Sequence, residues 1–191
     1  MGNIVLASKS PRRKELLELL GVEFTIIPAI KDEVITKNAP EEVVQELALE
    51  KAQEVYDGLE MKEDALVIGS DTIVCCDGEI MGKPVDEADA FRMIEKLQGN
   101  AHSVFTGVAL LWKKDGAFGQ NVFFEETKVE IYPMDEDEIL GYIQTGEPMD
   151  KAGAYGMQGG FAPFVKGIHG EYANVVGLPI GRLYQEMKRV K

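Results

Sequence analysis

The chain has 191 residues, of which 45% are hydrophobic and 28% charged, as is typical of a globular protein with a sizeable core. Its formal net charge of -13 argues against a nucleic-acid backbone or an anionic membrane as the main partner. No apolar run approaches the roughly 18 to 20 residues that span a bilayer, and the first residues lack the charged region and cleavage site of a signal peptide.

Short apolar runs alternate with amphipathic stretches in the first half of the chain. In order, they predict a strand at 4–7, a helix at 11–20 closed by Gly21, a strand at 24–27, a helix at 41–56 and a strand at 65–75. The apolar residues of the helix at 41–56 share one face: Val43, Val44, Leu47, Ala48, Ala52 and Val55. The Asp77-Gly78 pair favours a tight hairpin.

The second half continues the alternation. It predicts a helix at 87–97 ended by Gly99, two paired strands at 103–112 and 122–132, a helix at 135–144 and a closing helix at 179–190. The pairing places a turn at 113–119. The glycine-rich stretch 146–177 has no clean period, and a stretch this long is more often functional than idle. The intermixed helices and strands predict an α/β fold with a mixed sheet, in one domain over residues 1–191.

Cys75 and Cys76 are adjacent in an apolar stretch, and the sequence has no other cysteine. Neighbouring side chains on a strand point to opposite faces, so the two are not expected to bridge each other. Two thiols of this kind fit a reducing compartment, and we expect a cytoplasmic protein in which both are buried strand residues.

The first basic segment, Ser8-Lys9-Ser10-Pro11-Arg12-Arg13-Lys14, lies where the first helix should begin. Ser10 is a good N-cap and Pro11 a good first helical residue. Three cations in the first turn oppose the helix dipole, by about 0.3 to 1 kcal/mol each. A phosphate docked on the backbone N–H groups would reverse that penalty, and arginine suits phosphate well. The alternative is a solvated basic helix end with surface acids as partners.

Lys51 lies within the apolar face of the helix at 41–56, four residues after Leu47 and four before Val55. A lysine in that position either extends to the rim of the core with its ammonium group in water, or reaches over the end of the sheet toward a ligand's phosphates. The helix alone does not decide between the two.

Acidic residues stand at two places: Asp32-Glu33 after the second strand, and Asp71 within an otherwise apolar strand. A buried, unpaired carboxylate is costly, so Asp71 should have a metal, a cation or a cleft beside it. Mg²⁺ bound to a triphosphate would supply this, because it prefers hard oxygen ligands. The alternative is a carboxylate satisfied by backbone amides at a bulge. Asp32 and Glu33 alone would be ordinary loop acids.

Two further segments are candidates for ligand contact. Gly82-Lys83-Pro84 places a lysine after a short strand, which is weak evidence by itself. In the segment from Asp150 to Gly160 the glycines let the backbone approach a ligand, and Gln158 can both donate and accept at a base edge; an ordinary loop is the alternative. His102 is interpreted as structural. The sequence has neither zinc-like His/Cys spacing nor a Walker-type loop.

Together these segments resemble the Maf family of nucleotide pyrophosphatases, in the family's order from residue 4 to about 183. The matching pieces are Ser8-x-Ser10-Pro-Arg-Arg with Glu15-Leu-Leu, Asp32-Glu33, Lys51-Ala52, Gly69-Ser-Asp-Thr-Ile-Val74, Gly82-Lys-Pro84, Leu97-Gln-Gly-x-x-His102 with Thr106-Gly-Val108, Asp150-Lys-Ala-Gly-Ala-Tyr-Gly-Met-Gln-Gly159 and Tyr172-x-Asn-Val-Val-Gly-Leu-Pro179. Each motif alone is modest evidence, but the set of motifs in this order is highly specific for the family. Ser70, where relatives carry alanine, and Met157, in place of isoleucine, are mild departures.

The resemblance implies an elongated mixed β-sheet flanked by helices, a Maf/ITPase-like fold with two lobes around a central cleft. It implies hydrolysis between the α- and β-phosphates of a nucleoside triphosphate, with a divalent cation, Mg²⁺ or Mn²⁺. Asp71 matches the general base and a metal ligand, and Glu33 matches the acidic partner at the metal. Phosphate-handling positions are matched by four residues: Ser8, Arg13, Lys51 and Lys83.

Arg12, Thr72 and Gln158 match positions tied to substrate choice in the family branch that acts on dTTP and UTP, and on modified pyrimidine triphosphates. The resemblance also implies nucleotide-pool house-cleaning and a homodimer. Two alternatives stay open: a binding or regulatory protein linked to septum formation, and the same chemistry on 7-methyl-GTP.

Overall fold

The structure is a computed structural model that describes residues 3–59, 64–114 and 116–190. Its seven strands are β1 (Asn3–Leu6), β2 (Phe24–Ile26), β3 (Ala65–Cys76), β4 (Glu79–Met81), β5 (Ala101–Lys114), β6 (Ala117–Ile131) and β7 (Val165–His169). Its six α-helices are α1 (Pro11–Glu18), α2 (Pro40–Gly58), α3 (Glu87–Leu97), α4 (Glu136–Ile143), α5 (Tyr172–Val176) and α6 (Ile180–Met187). Among the helices of the described residues, none combines the length and apolarity that crossing a membrane requires.

The strands form a mixed sheet in the order β2-β1-β3-β5-β6-β7, with β4 paired to β3. β1 runs parallel to both β2 and β3, whereas the β3–β4 and β6–β7 pairs are antiparallel. The predicted mixed-sheet α/β class is therefore confirmed.

The chain forms two compact units; three of the four boundaries between them fall within the long strands β3, β5 and β6, and the fourth follows α5. The first unit contains the described residues of Met1–Asp71, Thr106–Glu125 and Gly177–Lys191. The second contains Thr72–Phe105 and Glu126–Val176. Residues 1, 2, 60–63, 115 and 191 of the predicted 1–191 domain lie outside the described residues.

The core of the first unit is formed where α2 packs on the sheet. All six predicted core-face residues of α2 are buried, which confirms that prediction. Three of them, Ala48, Ala52 and Val55, lie in one cluster with apolar strand residues of the same unit, among them Val5 and Val67. The core of the second unit includes Ile94, Leu97 and Phe161.

The predicted start of α1 is confirmed by its cap, and α4 begins one residue after its predicted start. The Ser10 hydroxyl accepts a hydrogen bond from the Arg13 amide at the start of α1, with Pro11 next to it. Asp135 caps α4 through a capping box with Glu138. The hairpin at Asp77-Gly78 is also confirmed, since both residues have positive φ, of 51° and 78°.

Two predicted boundaries are wrong. β5 ends at Lys114 and β6 begins at Ala117, so both strands extend into the predicted turn at 113–119, of which residue 115 lies outside the described residues. Exposed strand ends carry polar residues, so the apolar pattern stops before the strand does. No element is predicted within 146–177, whereas β7 and α5 lie there, together with three 3-10 turns.

Candidate active site

Three predicted site residues lie beyond the point where the parallel pairing of β1, β2 and β3 ends in the first unit. β2, β1 and β3 run in the same direction, so their carboxyl ends share an edge of the sheet. Ser8 follows β1 closely, Glu33 lies in the loop after β2, and Asp71 comes three residues after the last β3 residue that pairs with β1. Ligands of α/β proteins commonly bind at this edge.

Gly69 brings α2 against β3. A Cβ on Gly69 would lie 2.2 Å from the carbonyl oxygen of Ala48 and 2.8 Å from the Cβ of Ala52. Only glycine permits this approach. Because Lys51 precedes Ala52 on the helix and Asp71 follows Gly69 by two residues on the strand, the close packing brings the lysine next to the carboxylate.

Lys51 bridges the two predicted acids. Its Nζ lies 2.7 Å from Oε1 of Glu33 and donates a hydrogen bond to Oδ1 of Asp71. The side chains of Lys51 and Asp71 are 18% and 12% exposed, and that of Glu33 is 50% exposed. The ammonium group of Lys51 therefore compensates the charge of the buried Asp71, and it lies mostly buried between the two acids rather than extended into water.

Arg13 turns into the protein from the first turn of α1. Its Nε donates to the carbonyl of Gly177 at 2.8 Å, and its Nη1 donates to the Ser8 hydroxyl at 3.4 Å. The Ser8 oxygen also accepts from the Ser10 amide at 3.2 Å. Lys14, the third predicted cation, pairs with an exposed acid on the same helix, Glu18 at 3.6 Å.

The electrostatic surroundings of Arg13 connect it with the acids. Burial lowers the pKa of Arg13, nearby Asp71 and Glu33 act in the opposite direction, and Arg12 adds to the lowering. The guanidinium remains charged at neutral pH, because arginine is not deprotonated in proteins near this pH. The first unit thus brings Ser8, Arg13, Glu33, Lys51 and Asp71 into one charged cluster, with half-buried Arg12 on the same turn as Arg13.

The other predicted site residues belong to the second unit. Thr72 is half-buried in β3, Lys83 is exposed directly after β4, and Gln158 is exposed in the glycine-rich stretch. The amide of Gly153 donates to the carbonyl of Gly82 at 2.9 Å. This bond ties the segment that carries Lys83 to the stretch that carries Gln158.

The stretch around Gln158 is held at several points. The Gly156 amide donates to the Tyr142 hydroxyl at 3.2 Å, and the Gly160 amide donates to the Glu147 carboxylate at 3.1 Å. Ala154 has a φ of 58°, a conformation that costs a non-glycine residue energy and persists only when its surroundings enforce it. The stretch is therefore a fixed platform rather than a loose loop.

Comparison with known proteins identifies the family. The model of the family described as Maf-like protein matches residues 3–190. The chain belongs to the Maf family. A Maf relative from Agathobacter rectalis, named dTTP/UTP pyrophosphatase, is 51% identical over 100% of this chain and 98% of its own length. Relatives with the same name occur in Geobacillus sp., 49% identical over 100% of this chain and 99% of their own, and in Lachnoclostridium phytofermentans, 45% identical over 99% and 95%.

Among solved structures, a Mycobacterium abscessus protein titled nucleoside-triphosphatase / dITP/XTP pyrophosphatase superposes with a TM-score of 0.42 at 16% identity. The superposition covers 97% of this Maf chain and 94% of that protein.

A divalent cation in this Maf chain would need oxygen ligands from acidic side chains. Within the described ranges, no three His, Cys, Asp or Glu side chains come together as a metal-binding group. Asp71 and Glu33 nevertheless approach one atom, Nζ of Lys51, from two sides. Mg²⁺ is commonly bound by one or two carboxylates together with substrate phosphates and water. This pair of hard oxygen donors fits such an ion.

His102, which the Maf motifs include, is a buried structural residue of the second unit. Its Nε2 shares a hydrogen bond of 2.7 Å with the Tyr155 hydroxyl, and its Nδ1 has no partner among the residues that the structure describes. Burial lowers the pKa of His102 from 6.5 to about 4 and raises the pKa of Tyr155. The histidine is therefore neutral in the folded protein near pH 7.

The shifted pKa predicts a loss of stability in mild acid. In the unfolded chain His102 binds a proton below about pH 6.5, whereas in the folded protein it stays neutral down to about pH 4. The contribution of His102 to the free energy of unfolding is therefore complete above about pH 6.5 and is lost as the pH falls toward 4. The whole shift corresponds to about 3 kcal/mol. The urea midpoint should fall less from pH 7 to pH 4.5 in His102→Phe than in the wild type. His169→Gln, which changes the exposed histidine, should behave as the wild type.

Several residues of this cluster were not identified from the sequence. The Gly177 carbonyl accepts from Arg13 and also from the Ser70 hydroxyl, at 3.0 Å. Gly177 has a φ of 124°, which glycine adopts readily, so a glycine before Leu-Pro was the available signal. Glu46 and Glu54 of α2 also contact the loop that carries Glu33. Acids on a polar helix face give no sequence signal for such contacts.

Proposed function

We propose that this chain hydrolyses dTTP and UTP between the α- and β-phosphates and releases the nucleoside monophosphate and pyrophosphate. The observation that carries the proposal is the charged cluster of the first unit, in which Lys51 joins Asp71 and Glu33 and lies close to Arg13. The names of relatives that are 45% to 51% identical over nearly the whole chain support the substrate.

We propose that Asp71 and Glu33 hold a Mg²⁺ or Mn²⁺ ion. Such an ion, when bound, polarises a phosphoryl oxygen and offsets the charge that develops during the transfer. Lys51 already places a positive charge between the two carboxylates and therefore keeps two like charges close together in a partly buried position.

The phosphate chain is assigned to Arg13 and Ser8. The bond from Arg13 Nε to Gly177 fixes the plane of the guanidinium group, so less orientational freedom is lost when it binds an anion. The Ser8 hydroxyl accepts hydrogen bonds from Ser10 and Arg13, and a hydroxyl can in addition donate its own proton to a phosphate oxygen.

Asp71 is assigned a second role, as acceptor of a proton from the attacking water. It is the most deeply buried acid of the cluster, and its position is fixed from two directions, by β3 and by Lys51. Preorganisation of this kind is what a general base requires.

The remaining roles rest on family motif positions. We propose that Lys83 contacts the phosphates and that Arg12, Thr72 and Gln158 select the base. Gln158 is exposed on a fixed platform, so its amide can donate and accept at a pyrimidine edge. Modified pyrimidine triphosphates, house-cleaning of the nucleotide pool in the cytoplasm and assembly as a homodimer belong to the same proposal.

A panel of nucleotides with Mg²⁺ tests the function. We expect kcat/KM for pyrophosphate release from dTTP and UTP to exceed that from 7-methyl-GTP by at least about 10-fold. A site that hydrogen-bonds one base rejects another base that leaves the polar groups of the site unpaired. Product identification should give the monophosphate. Silence across the panel would favour a binding or regulatory protein linked to septum formation, and a preference for 7-methyl-GTP would place the chain in the other branch.

A further inference from the structure

The loop of residues 28–39 connects β2 to α2 and carries Glu33. Its large apolar side chains are exposed: Ile30 by 86%, Val34 by 59% and Ile35 by 56%. Ala29 packs against the core of the first unit, but most of the loop is exposed. Burial of apolar surface therefore contributes little to where Glu33 lies.

Polar side chains of α2 hold the loop instead. The Glu54 carboxylate accepts from the Ile30 amide at 2.9 Å and from the Lys31 amide at 3.2 Å. Eight residues earlier on the helix, the Glu46 carboxylate accepts from the amide of Thr36 at 2.9 Å and from its hydroxyl at 2.5 Å. The pKa of Glu46 is lowered, first by the Thr36 hydroxyl, so the acceptor is the ionised carboxylate.

The order of these contacts shows how the loop runs. Residues 30–31 contact Glu54, Glu33 contacts Lys51, and Thr36 contacts Glu46. Because the contacted helix residues come earlier in α2 as the loop proceeds, the loop runs antiparallel to the helix. Glu33 is in the middle, between the two points at which a helix carboxylate holds the loop backbone. Since Gly69 packs α2 against β3, the helix is a rigid reference for both Glu33 and Asp71.

We propose that Glu54 and Glu46 are positioning residues that hold the 28–39 loop on α2 so that Glu33 faces Asp71 across Lys51. Neither carboxylate contacts the substrate in this role. The proposal rests on the proposed function, because it assigns these two residues to the placement of its metal-binding acid.

The test compares Glu54→Ala, Glu54→Gln and Glu46→Ala with a control, Glu50→Ala, which changes an exposed acid of the same helix. Binding of Mn²⁺ alone is followed by electron paramagnetic resonance, and trypsin cleavage after Lys31 and Lys37 is followed in the folded protein. We expect the Mn²⁺ dissociation constant of Glu54→Ala and Glu46→Ala to rise about 10-fold, the lower end for residues that orient a metal ligand. Cleavage should accelerate because it follows the population of the open loop.

Rescue by the conservative variant separates positioning from general damage. The amide oxygen of Glu54→Gln can still accept from the loop backbone, so this variant should bind Mn²⁺ within about threefold of the wild type and resist trypsin. Melting temperatures of all variants should stay close to that of Glu50→Ala. Unchanged Mn²⁺ binding and unchanged cleavage in both alanine variants would overturn the proposal, as would equal losses in Glu54→Gln and Glu54→Ala.

The outcomes also separate this proposal from the proposed function. If the wild type binds Mn²⁺ but releases no pyrophosphate from any nucleotide, the proposed function fails, while weaker Mn²⁺ binding in the alanine variants still supports the positioning role. If pyrophosphate release is normal and the alanine variants bind Mn²⁺ as the wild type does, only the positioning role fails.

Discussion

Asp71→Asn is expected to lower kcat for dTTP and UTP by at least about 10²-fold, the low end for loss of a general base. This corresponds to about 2.7 kcal/mol in the activation free energy. Asparagine has the same shape and keeps one oxygen, but it neither accepts a proton at neutral pH nor carries the charge that Lys51 neutralises. The measurement is steady-state pyrophosphate release at saturating Mg²⁺.

Two controls make this result specific. Asp57→Asn changes an exposed acid of α2 and should retain wild-type turnover. The unfolding midpoint of Asp71→Asn should stay close enough to the wild type for the enzyme to be folded during the assay, since Lys51 keeps Glu33 as a partner. Near-normal turnover in Asp71→Asn would show that Asp71 is not the general base.

The metal dependence of the same variant separates the two roles of Asp71. If it acts chiefly as a ligand, raising the Mn²⁺ concentration should restore most of the rate, because weak binding is overcome by mass action. If it acts chiefly as a base, the rate should stay low at every metal concentration. We expect the second result, because Lys51 already occupies one oxygen of this carboxylate.

Local patterns predict most of the helices and strands of this fold. The core face of α2 follows from the 3.6-residue period, and the starts of α1 and α4 follow from Ser10 and Asp135. β7 is different, because only five residues, among them Gly167, form it at the edge of the sheet. Its pairing with β6 is a long-range contact, and its two apolar residues, Val165 and Ile168, do not alternate with the period of two that indicates a strand.

The candidate site, like the fold, could be predicted from the sequence only in part. Residue type alone indicates that Asp71 needs a compensating charge, since a buried lone carboxylate is costly. Which cation supplies the charge depends on how closely α2 approaches β3, and therefore on Gly69. The placement of Glu33 depends on hydrogen bonds from the backbone of an exposed loop to Glu46 and Glu54, and backbone donors are the same in every sequence.

Gly69→Ala is expected to destabilise the protein by about 3 kcal/mol, the upper part of the range for overpacking a core. The added methyl group would lie 2.2 Å from the Ala48 carbonyl oxygen, and this atom belongs to the helix backbone and cannot rotate away. α2 would have to move off β3 and carry Lys51 away from Asp71. Activity should therefore fall further than the folded fraction does, which urea denaturation and pyrophosphate release together can measure.

Alanine variants at two other glycines serve as references for the effect of Gly69→Ala. Gly107→Ala would place a methyl group 2.1 Å from the Val44 carbonyl oxygen, on the same helix but seven residues before Lys51. It should destabilise as much and impair the folded enzyme less. Gly141 lies inside α4 with nothing within 4 Å of an added Cβ, so Gly141→Ala should stabilise by about 1 kcal/mol. Equal activity per folded molecule in the Gly69 and Gly107 variants would show that the approach of α2 to β3 at Gly69 does not determine where Lys51 lies.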